Sequence, residues 1–393
     1  MPVRAADESA EDFEARISQL CRSHTARLLA WLDNPQTAEP EPQARYDGTV
    51  GSLCRIYRLH PLSRFHRTKH TTRRFYAAYL DLIEATVGTR LVNRVDLFTV
   101  EHWYAQWRKP AAPGGDERID RAHDAVSMFR TVVNFCAKLR FPGRKACQEL
   151  AEDLEGVKFE KGGAREQEMT YGYVVAFIAA AEDLGRKGLV PAHRARGLAI
   201  GVTAQFELLL RQKDIIGEWA PKALARFPQG ASLLEQGNEM WGGFFTWENI
   251  PGWRWRMKTS KSKYRAAADF DLTRYRLLMP LLEAVPHEER EGAIVKGEHG
   301  LPARESTYRK DFRAIARSAG IPDDVWSMDS RAGGATEAGE SGATIDDIRG
   351  ALTHASTGTT VRYIARRGET KKTANVAEAR ARARAEGAGK EKP

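Results

Sequence analysis

The chain has 393 residues, more than one ordinary domain needs, which points to two domains with tails. A formal charge of +9 and a pI near 9.3 favour a polyanionic partner, without separating nucleic acid from an acidic membrane surface. No apolar run is long enough to span a bilayer and the N-terminus lacks a signal peptide's apolar stretch, so a soluble, cytoplasmic protein is expected. Cys21, Cys54, Cys136 and Cys147 show no Cys-x-x-Cys pairing and no zinc-type histidine spacing; they are expected to be buried thiols, with no structural metal.

Between Glu8 and Asp33, Phe13, Ile17, Leu20, Leu28 and Leu32 recur at near-helical spacing and predict a leading amphipathic helix. Asn34-Pro35 and Glu39-Pro40-Glu41-Pro42 break it, so residues 1–48 read as an appendage ending in an acidic, proline-rich linker. Residues 49–157 read as an all-helical domain. Phe75, Tyr79, Leu82 and Ile83 form one helical stripe that Gly88 ends, and Val126, Phe129, Val133, Cys136 and Leu139 form another that Pro142-Gly143 stops. Trp103 and Trp107, one turn apart, are expected in the core. Arg64, Arg67, Lys69, His70, Arg73 and Arg74 gather at the start of the Phe75 helix, and Arg140, Arg144 and Lys145 follow the last stripe. Helix starts favour anions through free N–H groups and the helix dipole, so both clusters are expected to contact DNA phosphates.

Residues 158–169, polar and carrying Gly162-Gly163, are the expected interdomain linker, and Thr170 is placed to cap a helix containing Val174, Phe177 and Ile178. The second domain, 170–366, is expected to hold a helix through Leu198 to Leu210 and strand-like runs at Gly243–Ile250, Trp253–Lys258 and Tyr264–Leu272. Helices follow at Ser306–Ala319 and from Ala332. In Trp253–Lys258 apolar and cationic residues alternate, which predicts a small antiparallel sheet in a mainly helical α+β domain. The tail, 367–393, is basic and too poor in apolar residues to build a core.

Late in the chain, His354 precedes Tyr363 by nine positions across a Ser/Thr-rich stretch. Upstream stand Arg211 with Asp214 three residues on, Lys258 opening Lys258-Thr259-Ser260-Lys261, and Arg331 closing Met328-Asp329-Ser330-Arg331. Two guanidiniums match the planar geometry of phosphate oxygens, and a phenol, with a pKa of about 10, must lose its proton as it attacks. Together these residues suit transfer of a phosphodiester onto a phenolic oxygen. From about Thr49 to Arg366 the chain resembles the tyrosine recombinase (phage integrase) family.

The resemblance implies a mainly α protein: an N-terminal helical core-binding (SAM-like) domain, then an α+β catalytic domain with a small antiparallel sheet. It implies that Tyr363 is the nucleophile of a 3′-phosphotyrosyl intermediate, that Arg211 and Arg331 hold the non-bridging oxygens, and that His354 donates to the phosphate. Lys258 is then the general acid, with Lys261 and Lys263 as substitutes if the register shifts; Lys261 is also assigned to DNA contact. Asp214 is expected to orient Arg211. Met328 stands where the family usually has histidine and cannot relay a proton, leaving Asp329 or His354 to compensate. The glycine that commonly precedes the first arginine is missing, since Leu208-Leu209-Leu210-Arg211 is apolar there. The leading reading is a site-specific recombinase of a phage or mobile element, working in a bacterial nucleoid as a homo-tetramer on double-stranded DNA, without a cofactor. Two alternatives stay open: a non-cleaving DNA-binding accessory protein, for which Met328 speaks, and a type IB topoisomerase, against which the N-terminal module and the His354–Tyr363 spacing speak.

Overall fold

The computed structural model describes residues 9–33, 45–163, 165–259, 267–354, 358 and 360, with side chains 27–33 left aside. The expectations for Tyr363, Lys261, Lys263, the proline-rich linker and the tail 367–393 lie outside the described residues, as do those for the side chains of Leu28 and Leu32. The chain divides into two compact units, Met1–Gly163 and Ala164–Pro393.

The first unit is built from helices α1 (Ala10–Asp33), α2 (Val50–Leu59), α3 (Arg64–Arg67), α4 (His70–Val87), α5 (Leu97–Arg108), α6 (Ile119–Cys136) and α7 (Arg144–Asp153). Thr49 starts α2 by accepting the Ser52 N–H at 3.2 Å, a cap worth about 1 kcal/mol. Leu53, Leu80, Ile83, Val100, Phe129 and Leu150 meet in one core, with Trp103 and Trp107 inside it. Cys54, Cys136 and Cys147 are buried there, but Cys21 is exposed, because no described side chain of α1 is buried. Phe75 departs from its expected stripe: it lies at the surface against the Tyr79 ring, 4.7 Å between centroids, while Leu80, Ile83 and Val87 carry the buried face of α4. A stripe fixes the face of a helix, not which of its turns the neighbouring helices reach.

The first half of the expected linker, and the residue before it, are fastened to this unit. Tyr104 Oη donates to Glu160 O at 3.0 Å, Gly162 N to Asp120 Oδ1 at 3.1 Å, and Arg130 Nη2 to Val157 O, just ahead of the linker, at 2.8 Å.

In the second unit Thr170 accepts the Tyr173 N–H at 3.3 Å and opens α8 (Tyr171–Arg186), which packs on α9 (Ala192–Glu207). The short α10 (Gln212–Ile216) leads into a three-stranded antiparallel sheet in the order β1-β3-β2, from β1 (Glu218–Pro221), β2 (Ser232–Gln236) and β3 (Glu239–Gly243). A separate hairpin pairs β4 (Arg254–Lys258) with β5 (Ala267–Asp271), from Arg254 opposite Asp271 to Lys258 opposite Ala267. Helices α11 (Leu278–Glu283), α12 (Glu305–Ser318), α13 (Asp329–Glu340) and α14 (Ile345–Ala351) follow. Phe177, Ile200, Phe206, Trp255, Leu278 and Phe312 lie in the core.

Two local expectations change here. The run Gly243–Ile250 is not a strand: Gly243 ends β3 and Trp247–Asn249 is a 3₁₀ turn, its aromatic content serving the core, where Phe245 packs on Trp255 at 4.6 Å. The helix expected to run to Leu210 stops at Glu207, and Leu209 takes the left-handed φ of +53° that lets Leu208 and Leu210 both be buried. Among the described residues no helix is long and apolar enough to cross a membrane, and no group of three or more His, Cys, Asp or Glu could hold a metal ion.

Candidate active site

Arg211 occupies the position that caps α10, just after the buried Leu208-Leu209-Leu210 turn. The Leu209 side chain packs with Ala335, Ile348 and Leu352, joining this turn to α13 and α14. Arg211 Nη1 lies 4.0 Å from Asp214 Oδ2, within the first turn of α10, and the Asp214 carboxylate is buried while Arg211 stays partly open to solvent. Beside Arg211, Gln212 Oε1 accepts the Ser327 hydroxyl at 2.9 Å. That bond spans 115 positions and ties the turn of the first arginine to the approach to the second.

Arg331 lies in α13 and is 4% exposed. Its Nη2 donates to Leu352 O at 2.7 Å and lies 3.0 Å from His354 Nε2. A guanidinium offers only donors, so the imidazole nitrogen facing it accepts, and the ring proton belongs on Nδ1, which lies 3.0 Å from Thr360 Oγ1. α13 can sit this deep because of two glycines. A Cβ at Gly333 would fall 1.9 Å from Met169 O, and one at Gly334 would fall 2.0 Å from Phe206 O.

Lys258 ends β4 and lines the same cleft as Asp214, together with Lys213, Glu218 and Phe244. Met328 immediately precedes α13 and is 55% exposed. Asp329, the other group placed near a missing proton acceptor, is engaged: Arg165 Nη2 lies 2.9 Å from its Oδ2, and the Trp326 N–H donates to the same oxygen at 2.7 Å. Glu207, at the end of α9, accepts from Leu277 N at 3.3 Å and Leu278 N at 2.8 Å. Burial raises its carboxyl above the ordinary value, and the nearby Glu337 charge adds to the rise.

Lys261 aside, the expected phosphate contacts lie in the first unit. Arg67, Lys69, Arg74, Arg140, Arg144 and Lys145 are exposed, the last 3.7 Å from Glu149. Arg73 differs: its Nε donates to Phe65 O at 3.1 Å and its Nη2 to His66 O at 2.8 Å, so it clasps α4 to α3.

The structure thus brings Arg211 to Asp214, Arg331 to His354, and Asp214 and Lys258 to one cleft. Gln212, Ser327 and Arg165 were not foreseen. Their partners are distant in sequence, and a serine, a glutamine or a linker arginine carries no periodic or motif signal.

Neither a protein-family model nor a curated protein sequence matches the chain. Solved structures do. A lambda integrase dimer bound to a COC′ core site is 13% identical, with a TM-score of 0.56 over 82% of this chain and 97% of that one. The Tn1549 transposon integrase in complex with transposon right end DNA is 10% identical, with a TM-score of 0.54 over 84% of this chain and 99% of that one. A lambda integrase tetramer bound to a Holliday junction is 13% identical, with a TM-score of 0.52 over 87% and 85%. At these identities the likeness is one of architecture, and the chain has the fold of these integrases.

Proposed function

We propose that the protein is a tyrosine recombinase that cuts a DNA strand by transesterification and reseals it onto a new partner. The contact of Arg331 with His354 carries this reading: a buried guanidinium and an imidazole, 23 positions apart, form one polar centre on an integrase fold. The Ser327–Gln212 bond supports it by holding the Arg211 turn beside that centre.

On this reading Tyr363 Oη attacks the scissile phosphorus. The O–P bond to tyrosine forms as the bond from phosphorus to O5′ breaks, the phenolic proton passes to water, and Lys258 protonates the departing O5′. Arg211 and Arg331 hold the two non-bridging oxygens as charge builds on them, which is usually where most of the rate enhancement in such a site originates. Asp214 holds Arg211 in place. His354 accepts from Arg331 in the DNA-free protein, so donating to phosphate requires a proton on Nε2. Attack of a 5′ hydroxyl on the phosphotyrosine runs the step backwards, and the energy of the phosphodiester is retained throughout. Arg67, Lys69, Arg74, Arg140, Arg144, Lys145 and Lys261 contribute phosphate contacts. The lambda and Tn1549 complexes support a DNA substrate, a mobile-element origin and a tetrameric working form.

A second reading, a non-cleaving DNA-binding protein of this fold, is favoured by Met328, which puts no titrating group at the exposed position just before α13. A covalent trap separates the two. Wild type and Tyr363→Phe are mixed with a nicked suicide duplex carrying the sequence that flanks the gene, then resolved on a denaturing gel. An adduct with wild type alone is expected; salt-sensitive binding with no adduct would favour the second reading.

A further inference from the structure

Arg165 follows two residues after Gly163, where the first unit ends, in a stretch that sequence alone marks only as polar. Its guanidinium is engaged along one edge and over the Trp326 ring. Nε lies 3.3 Å from Asp329 Oδ1 and Nη2 lies 2.9 Å from Oδ2, a two-pronged fit of fork to carboxylate. Nη2 also donates to Asp324 O, and the planar group stacks 3.8 Å over the Trp326 ring. The chain then continues along α13: Gln167 Nε2 donates to Asp324 Oδ2 at 3.2 Å, and Met169 N to Asp329 O at 3.3 Å.

Asp329 is the first residue of α13 and is buried, whereas Arg165 is about one-third exposed. An exposed ion pair contributes little, but a buried carboxylate needs its partner and fixes the backbone that carries it. Asp329 also accepts the Trp326 N–H, so it closes the turn that launches the helix, where a negative charge is favoured. Arg331 stands two residues further on. Residues two apart on a helix project to different sides, and here Asp329 reaches Arg165 while Arg331 reaches Leu352 and His354.

We infer that Arg165 is a positioning residue for the transesterification: by gripping Asp329 it sets the first turn of α13, and through it the place where Arg331 meets the scissile phosphate. The inference rests on the recombinase reading above. Arg165 bonds to Asp329 and Asp324 and acts through the helix, so its loss should be felt in the rate of bond breaking rather than in DNA affinity. A displacement of about 1 Å in a reacting group is enough to cost about 100-fold.

The test uses the full chain and the suicide duplex. Single-turnover adduct formation at saturating duplex, mobility-shift affinity and thermal melting are measured for wild type, Arg165→Gln, Arg165→Lys, Arg331→Ala and the Arg165→Gln/Arg331→Ala pair. Arg165→Gln is expected to slow adduct formation by about 10- to 100-fold with affinity changed less than about threefold, and Arg165→Lys, which keeps the charge but loses the fork, to fall between. In the pair, Arg165→Gln should add no loss to that of Arg331→Ala, because its effect passes through Arg331. Wild-type rates in a folded Arg165→Gln, or in Arg165→Lys should the first variant not fold, would overturn the inference, as would fully additive losses. If the wild type forms no adduct on a duplex it binds, the recombinase reading falls instead. The ¹⁵N signals of the His354 ring then still decide: they shift in the Arg165 variants if Arg165 sets Arg331, and unchanged signals refute it.

Discussion

Arg331 reaches the Leu352 carbonyl and the His354 imidazole with the same terminal nitrogen, at 2.7 and 3.0 Å. A planar fork distributes its donors over several fixed directions, whereas a lysine ammonium is a single point of charge. Arg331→Lys is therefore expected to slow covalent adduct formation by about 10²- to 10³-fold, the scale of losing one preorganised donor. Duplex affinity should change little, since one phosphate contact is a small part of the total. Single-turnover cleavage on a suicide duplex measures the first and mobility shifts the second; a rate within about tenfold of wild type would remove Arg331 from the phosphate.

On the recombinase reading, Met328 tests whether the site depends on a proton acceptor at that position. Its side chain is mainly in solvent, and substitutions at such positions change energies by about 0.5 kcal/mol or less. Met328→Ala should cleave within about threefold of wild type. Met328→His should add a new limb to the pH–rate profile near pH ~6.5, where imidazole titrates. A profile identical to wild type would mean that residue 328 does not face the reacting groups.

Much of the architecture could be read from periodicity. α6 buries Val126, Phe129, Val133 and Cys136, and Thr170 caps α8, because a 3.6-residue repeat and a cap are local properties. The sequence suggested phosphate chemistry for Arg211, Lys258, Arg331 and His354, since few residue types suit a phosphate, and of these the structure brings Arg331 to His354. What stayed hidden depends on contacts across the fold. Arg165 lies 164 positions from Asp329, and Ser327 lies 115 from Gln212, so no local pattern pairs them. The strands β1 and β2 were missed because one is only four residues long and ends in Pro221, and the other is exposed along most of its length. Phe75 misled because an aromatic on a helical stripe reads as core even where its neighbours leave it about half exposed.

The arginines of the first unit divide by what their guanidiniums already hold. Arg67, Arg74, Arg140 and Arg144 are exposed, and replacing any one that contacts a phosphate with alanine should reduce the slope of log affinity against log salt by about 1. Arg73 spends its donors on Phe65 O and His66 O, so Arg73→Ala should lower the melting temperature and leave the salt slope nearly unchanged. Titrations of duplex binding between low and moderate salt, paired with thermal melts, check both halves. A full unit of slope lost in Arg73→Ala would place that side chain on DNA.

Gly333 lets the 165–169 segment lie against α13. An added methyl would meet the Met169 carbonyl oxygen at 1.9 Å, and the obstacle is backbone rather than a pliable side chain tip. Gly333→Ala is expected to cost about 1–3 kcal/mol, the usual penalty for overpacking, despite alanine's better helix propensity of about 1 kcal/mol. Chemical denaturation would register it as a lower midpoint with unchanged slope. Gly350, where nothing lies within 4 Å of an added methyl, supplies the control: Gly350→Ala in α14 should be neutral or stabilising.

Glu207 makes stability depend on pH in a direction opposite to an ion-paired carboxylate. Burial and the Glu337 charge raise its folded pKa, and the Leu277 and Leu278 amides offset only part of that rise. A carboxyl whose folded pKa exceeds its unfolded value of about 4.3 binds its proton more tightly in the native protein. Its contribution is therefore fully present below the unfolded pKa and is lost as pH rises through the raised folded value. Glu207→Gln removes that titration while keeping an oxygen for the Leu278 amide. The carboxylates with lowered pKa values, such as Asp47 and Asp269, are common to both proteins and cancel in the difference. Melting temperature of wild type minus variant should thus be most favourable to wild type near the unfolded pKa of about 4.3 and decline toward neutral pH. A difference that is flat across this range, or that grows with pH, would show that the Glu207 carboxyl is not raised in the folded protein.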